Sequence, residues 1–287
     1  MPTADLSKTS IYYEVTGPAD GAPLVLIHGF TAQMIQWHPQ LCAYLADAGF
    51  AVVRFDNRDV GLSSKFDGQE PYTLEDMAAD VAELIDHLGR GPVHVVGQSM
   101  GGMIAQRLVL AHPDRVASLV LLYTTPDPRF IAEDDPDFRA VRDRPPAITR
   151  EEAIDQFVEQ ERLSGANGFD LRELGAQTYD RCYCPEGRDR QWAAIEASGS
   201  IVDDLRWVDQ PAAVIHGRAD RLISSEAGIA IAHAMPRAEL QLYDGVGHEI
   251  PPMLWDDVVR TIVRTAGRAG LPPAAAYEQL HIDVSTS

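Results

Sequence analysis

Short, almost uninterrupted apolar runs recur along this chain: Leu24-Val-Leu-Ile27, Val93-His-Val-Val96, Ser118-Leu-Val-Leu-Leu-Tyr123 and Ala212-Ala-Val-Ile215. Runs of this length without strict polar alternation fit strands buried on both faces of a sheet. Ile11–Gly17, Phe50–Phe55 and Glu239–Tyr243 read as further strands, the first closed by the turn cluster Gly17-Pro-Ala-Asp-Gly21. Helical spacing lies between them. Trp37, Leu41 and Leu45 stand at i, i+4 and i+8 in a helix expected over residues 33–48. Thr73-Leu-Glu-Asp76 has the form of a capping box, followed by Met77, Val81, Leu84, Ile85 and Leu88 and stopped at Gly89. Met103, Ile104 and Leu108 mark a third helix, and residues 253–266 a closing one. Strands alternating with helices predict an α/β fold: a mostly parallel sheet with helices on both faces.

The texture changes at Pro126. From there to about Arg206 no strand pattern is visible, and Pro126, Pro128, Pro136, Pro145 and Pro146 break the first part. Helical patterns follow after Thr149-Arg-Glu-Glu152, around Leu171–Leu174 and around Trp192–Ile195. A helical block inserted in an α/β chain reads as a cap over an active-site mouth. The division is a core of residues 1–125 and 206–287 with a cap of residues 126–205. Phe157, Tyr179, Tyr183 and Trp192 are available to line a pocket or to pack within the cap. The tail from Gly270 to Ser287 is rich in Pro and Ala, then polar, and is expected to be poorly ordered.

One strand-to-helix junction carries chemistry. Val93–Val96 runs into Gly97-Gln-Ser-Met-Gly101, and the helix starts at once. A G-x-S-x-G turn in this setting holds its serine in a strained conformation above the sheet, with glycines where a Cβ would collide with neighbours. The helix N-terminus aims free N–H groups at the space above Ser99, where an oxyanion would form. The Met100 N–H is one candidate donor. The other is the Phe30 N–H, which follows the turn His28-Gly29 at the end of an apolar run. Phe30, Met100 and Trp192 are the candidate substrate contacts. His28 is expected to make a structural hydrogen bond, and Asp56 and Arg58 to brace the polar loop Asp56–Ser64.

Serine needs a base, and the base needs an orienting acid. Asp220 follows one predicted sheet strand and His248 the next, and Ser99 also follows a strand. Loops at the carboxyl ends of parallel strands converge on one edge, so Ser99, Asp220 and His248 can meet. Asp244 is the spare acid, too near His248 on the same loop to serve it. Acidic residues number 43 against 24 basic ones, a net charge of −19. That balance speaks against nucleic acid and anionic membrane surfaces as partners and leaves neutral small molecules unaffected. The N-terminus lacks an apolar signal region, and no run reaches membrane-spanning length. The three cysteines cannot all pair within the chain, and Cys182-Tyr-Cys184 is too close for a relaxed disulfide. All three read as free thiols of a cytoplasmic protein, a monomer or homodimer. No motif calls for a metal, flavin or nucleotide.

Taken together, His28-Gly29, the Asp56–Ser64 loop, Gly97-Gln-Ser-Met-Gly-Gly102, His216-Gly-Arg-Ala-Asp220 and Gly247-His248 resemble the α/β-hydrolase superfamily. The loop Asp56-Asn-Arg-Asp-Val-Gly-Leu-Ser63 and Gly247-His-Glu-Ile-Pro-Pro252 are similar to the bacterial aclacinomycin methylesterase-like branch. The resemblance implies an α/β-hydrolase fold, a Ser-His-Asp triad and hydrolysis of carboxylic esters, including methyl esters of hydrophobic or polycyclic metabolites. Carbon–carbon bond hydrolysis by the same triad, acyl transfer and perhydrolysis remain open, as does a non-enzymatic small-molecule receptor. Serine at position 99, rather than aspartate, argues against dehalogenase or epoxide hydrolase chemistry.

Overall fold

A computed structural model describes residues 2–166 and 170–270. The tail beyond Gly270, expected to be poorly ordered, lies outside the described residues. Eight strands form one sheet: β1 (Thr3–Asp5), β2 (Ser10–Thr16), β3 (Ala22–Ile27), β4 (Phe50–Phe55), β5 (Val93–Gln98), β6 (Val116–Leu122), β7 (Ala212–Gly217) and β8 (Ala238–Tyr243). Their spatial order is β1-β2-β4-β3-β5-β6-β7-β8. From β4 to β8 every pairing is parallel, while β1 and β2 turn the near edge antiparallel. β3, β5 and β6, the most apolar runs, occupy the middle. Their side chains feed two cores, one on each face of the sheet.

The helices follow the expected periodicity with three corrections. The stretch 33–48 is not one helix. A 3-10 turn (Met34–Gln36) precedes α1 (Pro39–Asp47), because Pro39 lacks an N–H and sits in the first turn with His38 as cap. α2 (Leu74–Leu88) does open with a reciprocal Thr73–Asp76 capping box and ends at left-handed Gly89. α3 (Met100–Ala111) begins directly after the serine. Between β6 and β7 lie α4 (Pro136–Arg142), α5 (Arg150–Ser164), α6 (Leu171–Cys182) and α7 (Gly187–Glu196). α4 was hidden by its proline, which starts the helix beside the Asp135 cap instead of breaking it. α8 (Ser225–Ala234) was missed too. Its Ala- and Ile-rich sequence gives a weak amphipathic pattern between two strands. α9 (Trp255–Arg268) closes the fold with Val258, Val259 and Ile262 buried against β6 and β7.

The loop after β4 joins the inserted helices to the sheet. Arg58 makes two 2.7 Å hydrogen bonds to Asp80 of α2 while its guanidinium lies over Phe66 and Tyr72. Asp56 accepts from the Met34 and Leu62 N–H groups and pairs with Arg181 of α6 at 2.7 Å. Asp59 takes both arms of Arg190 of α7 at 2.8 Å each. Burial opposes ionisation of Asp59, but the Arg190 fork and the Phe66 N–H outweigh it and hold its pKa below the usual carboxylate value. Gln191 completes the seam, accepting from the Thr31 N–H and donating to the Arg58 carbonyl.

Removing one partner of a buried pair leaves an uncompensated charge. Arg190→Ala is therefore expected to cost about 2–4 kcal/mol of stability, the lower part of that range because Arg190 is partly exposed. Urea unfolding of the variant and the parent checks it.

Candidate active site

Ser99 sits at φ 53°, ψ −125°, outside the comfortable regions for an L-residue. Crowding explains why the flanking residues are glycines. A Cβ on Gly97 would lie 2.5 Å from the Gly101 carbonyl oxygen, and one on Gly101 would lie 2.2 Å from that of Ile27 in β3. Thr124 Oγ1 donates to the Ser99 carbonyl at 2.6 Å and the Ser99 N–H donates to Leu122 at 3.0 Å, fixing the turn.

Asp220 and His248 meet Ser99 above the carboxyl ends of the strands. His248 Nε2 is 2.9 Å from Ser99 Oγ, and His248 Nδ1 is 2.7 Å from Asp220 Oδ2. Asp220 is itself fixed. Its Oδ1 accepts from the Leu222 and Ile223 N–H groups at 2.8 and 2.9 Å, and His216 Nε2 lies 3.2 Å from Oδ2. Burial works against its charge, yet the His248 imidazole, these hydrogen bonds and His216 hold its pKa far below the normal carboxylate range. The Tyr123 ring packs 4.7 Å from that of His248. Asp244 takes no place in this chain of contacts among the described residues.

The N–H groups of Phe30 and Met100 have no hydrogen-bond partner among the described residues, consistent with donors left free for a ligand. The Met100 side chain, in contrast, is fully buried in the core, so only its backbone can reach a substrate. Phe30 and Trp192 stack edge-to-face at 5.8 Å and line a cavity of about 220 Å³ together with Ser99 and His248. Its other walls are mainly apolar, among them Ile131, Phe138, Val141, Leu163, Leu174 and Ile223. Phe157, Tyr179 and Tyr183 line a different cavity of about 150 Å³, between the inserted helices and the loops carrying Gln33 and Val60. Trp192 alone of the four aromatic candidates faces the serine's cavity.

His28 makes the structural hydrogen bonds expected of it, in a buried network whose other members the sequence did not reveal. Tyr123 Oη donates to Gln98 Oε1 at 2.6 Å, and Gln98 Nε2 lies 2.7 Å from His28 Nε2. His28 Nδ1 accepts from the Gly29 N–H at 2.8 Å, which shapes the turn leading to Phe30. The one available signal was polar residues, Gln98 and Tyr123, at the ends of otherwise apolar strands. His216, quoted in the motif without a role, is the second imidazole on Asp220. Among the described residues no group of three or more His, Cys, Asp or Glu is arranged to hold a metal ion, and no helix is long and apolar enough to cross a membrane. Cys42, Cys182 and Cys184 are free thiols.

Residues 22–252 match the model of the alpha/beta hydrolase fold family. The chain belongs to that family. This α/β hydrolase is 32% identical to rhodomycin D methylesterase DauP of Streptomyces sp. strain C5, over 88% of this chain and 93% of that protein. A local stretch of 113 residues is 41% identical to RutD of Variovorax paradoxus strain S110, spanning 39% of this chain and 41% of that protein. In structure the α/β hydrolase is similar to the meta-cleavage product hydrolase CumD of Pseudomonas fluorescens IP01. The TM-score is 0.75 at 19% identity, with 94% of this chain and 98% of the other covered.

Burial lowers the pKa of His28 from 6.5 to about 3, with the Gln36 carbonyl only partly offsetting it. The unfolded chain takes up a proton there between pH 6.5 and 3 that the folded chain refuses. Stability from this residue is present above pH 6.5 and falls as the pH drops, by up to about 1.4 kcal/mol per pH unit. His28→Asn should flatten the acid limb of a plot of unfolding free energy against pH by that slope, read from urea titrations between pH 6.5 and 4.5.

Proposed function

We propose that this α/β hydrolase is a serine esterase that cleaves carboxylic esters of small, hydrophobic molecules. The observation that carries the reading is the continuous chain Ser99 Oγ–His248–Asp220, with contacts of 2.9 and 2.7 Å. Ser99 Oγ attacks the ester carbonyl as His248 Nε2 takes its proton. The tetrahedral oxyanion sits between the N–H groups of Phe30 and Met100, each worth on the order of 10²–10³ in rate. His248 then protonates the departing alcohol, leaving an acyl-Ser99. Water attacks in turn, giving its proton to His248, which passes it to Ser99 Oγ as the acid is released. Asp220, held ionised, fixes the imidazole with Nδ1–H toward itself and stabilises its charged form.

Ester rather than carbon–carbon cleavage is supported by the near-full-length similarity to a methylesterase, whereas the likeness to CumD, at 19% identity, speaks to the fold alone. The largely apolar cavity suits a hydrophobic acyl or ring system. Methyl esters of polycyclic acids are the narrower substrate class.

The wild type should hydrolyse nitrophenyl butyrate and, in a screen, methyl esters of aromatic acids. Ser99→Ala should lose about 10⁴-fold or more in kcat, and Asp220→Asn on the order of 10³–10⁴. Equal turnover by wild type and Ser99→Ala would sink the mechanism. Activity confined to vinylogous diketones would move the carbon–carbon hydrolase ahead.

A further inference from the structure

The last turn of α5 is fastened to the loop that carries His248. The His248 N–H donates to the Ser164 carbonyl at 2.6 Å, and Gly165 and Gly247 meet so closely that a Cβ on Gly247 would lie 2.6 Å from that same oxygen. Residues three apart share a helix face, and Glu161 and Ser164 both line the cavity beside His248. Glu161 accordingly lines the cavity with Ser99 and His248. Its carboxylate has no hydrogen bond or ion pair among the described residues. The cations nearby are engaged elsewhere: Arg142 pairs with Asp143 and covers Trp192, and Arg188 donates to the Arg144 carbonyl and pairs with Asp189. Glu249 lines the same cavity, adding a second acidic side chain.

We propose that Glu161 is a specificity-determining residue whose carboxyl rejects ligands bearing a carboxylate, so that the cavity admits neutral esters and expels the acid product. The proposal rests on the esterase reading for its biological meaning. Hydrolysis converts a neutral ester and water into an alcohol and an acid, and the acid sheds its proton at neutral pH. The product therefore acquires its charge in an enclosure where the Glu161 carboxyl faces it. Esters with an anionic acyl group meet the same obstacle on entry. Repulsion between like charges in a largely apolar cavity is screened far less than in water.

The charge on Glu161 is adjustable. Burial pushes its pKa up to about 7, a rise that the facing His248 imidazole partly counteracts. Below that pH the carboxyl is neutral and can donate a hydrogen bond to a bound carboxylate. Above it the two repel. The other titratable groups on the surrounding elements are His248 and Glu249 after β8, Asp220 after β7, Tyr123 at the end of β6, and His28 and His38 on the loops before α1. All of them persist in a Glu161→Gln variant, so the difference between two pH profiles reports Glu161 together with its electrostatic coupling to His248 and Tyr123.

The test is binding, not turnover. Phenylacetate and its neutral counterpart phenylacetamide are titrated by calorimetry into Ser99→Ala and Ser99→Ala/Glu161→Gln between pH 6 and 8.5. Phenylacetate should weaken with rising pH about tenfold more in the single variant than in the double variant, and phenylacetamide should bind both alike at every pH. Equal phenylacetate profiles, a flat profile in the single variant, or no binding of either probe overturns the proposal. Phenylacetamide binding by the double variant certifies its cavity. A wild type that hydrolyses no ester while this binding pattern holds would refute the esterase reading and leave the charge selection standing.

Discussion

Everything at this site depends on how closely a helix can be brought to the sheet behind Ser99. The serine occupies φ 53°, ψ −125°, a conformation costing on the order of 1–3 kcal/mol. It persists because β3, β5 and β6 crowd the turn from below. Gly101 rides against the Ile27 carbonyl, Gly97 against the first turn of α3, and Gly102 against Thr124, each closer than a side chain would permit. Those contacts put the Met100 N–H at the helix end and lift Ser99 Oγ to within 2.9 Å of His248. Were the helix farther out, the serine would relax and the free N–H would point elsewhere. The apolar middle strands thus serve the chemistry directly, because their packing energy is what holds the strained turn.

A second constraint ties the inserted helices to the sheet. Asp56 and Asp59, both fully shielded, receive Arg181 and Arg190 from α6 and α7, while Arg58 faces inward to Asp80. Alternate residues of one loop therefore hold opposite layers of the protein. Buried ion pairs of this kind contribute little net stability compared with apolar packing, but they tolerate few alternative arrangements. Their effect is to set where α7 lies, and α7 carries Trp192 against Phe30. Pocket shape is in this sense governed from a loop that never touches the cavity's reactive end.

The sheet, its order of chemistry-bearing loops and the Ser99–His248–Asp220 grouping could be read from the sequence because each has a local cause. Apolar runs must be buried, Gly97 and Gly101 must flank a crowded turn, and parallel strands bring their carboxyl-end loops together. What escaped depends on distant partners. Nothing near Gln98 or Tyr123 in sequence announces His28, which lies 70 residues before Gln98. The α4 proline looked like a breaker until Asp135 was seen capping it, and α8 gives too weak an amphipathic signal to stand out between strands. Met100 shows the limit from the other side. Its N–H stands at the start of α3, yet its side chain belongs to the core, a distinction that periodicity alone does not draw. Among the aromatic residues of the inserted helices, Phe157 and Tyr179 share helices with residues lining the serine's cavity but turn the other way.

His248 is where these constraints meet. Its side chain is held by Asp220 and flanked by the Tyr123 ring, and its backbone N–H is held by the last carbonyl of α5. The first attachment belongs to the sheet and the second to the inserted helices. A base anchored from both layers keeps its position only while the layers keep theirs, so displacement of α5 would move the imidazole together with the wall of the pocket. The two halves of an enzyme's task, choosing a ligand and activating a nucleophile, are commonly assigned to different parts of such folds. Here the Ser164–His248 hydrogen bond joins them through a single backbone contact, with Gly165 and Gly247 small enough to let the two chains touch. Changes in substrate choice that alter the end of α5 therefore carry a direct consequence for catalysis, and so do changes at the start of α4, where Asp135 and Asp137 pair with Arg221 beside Asp220.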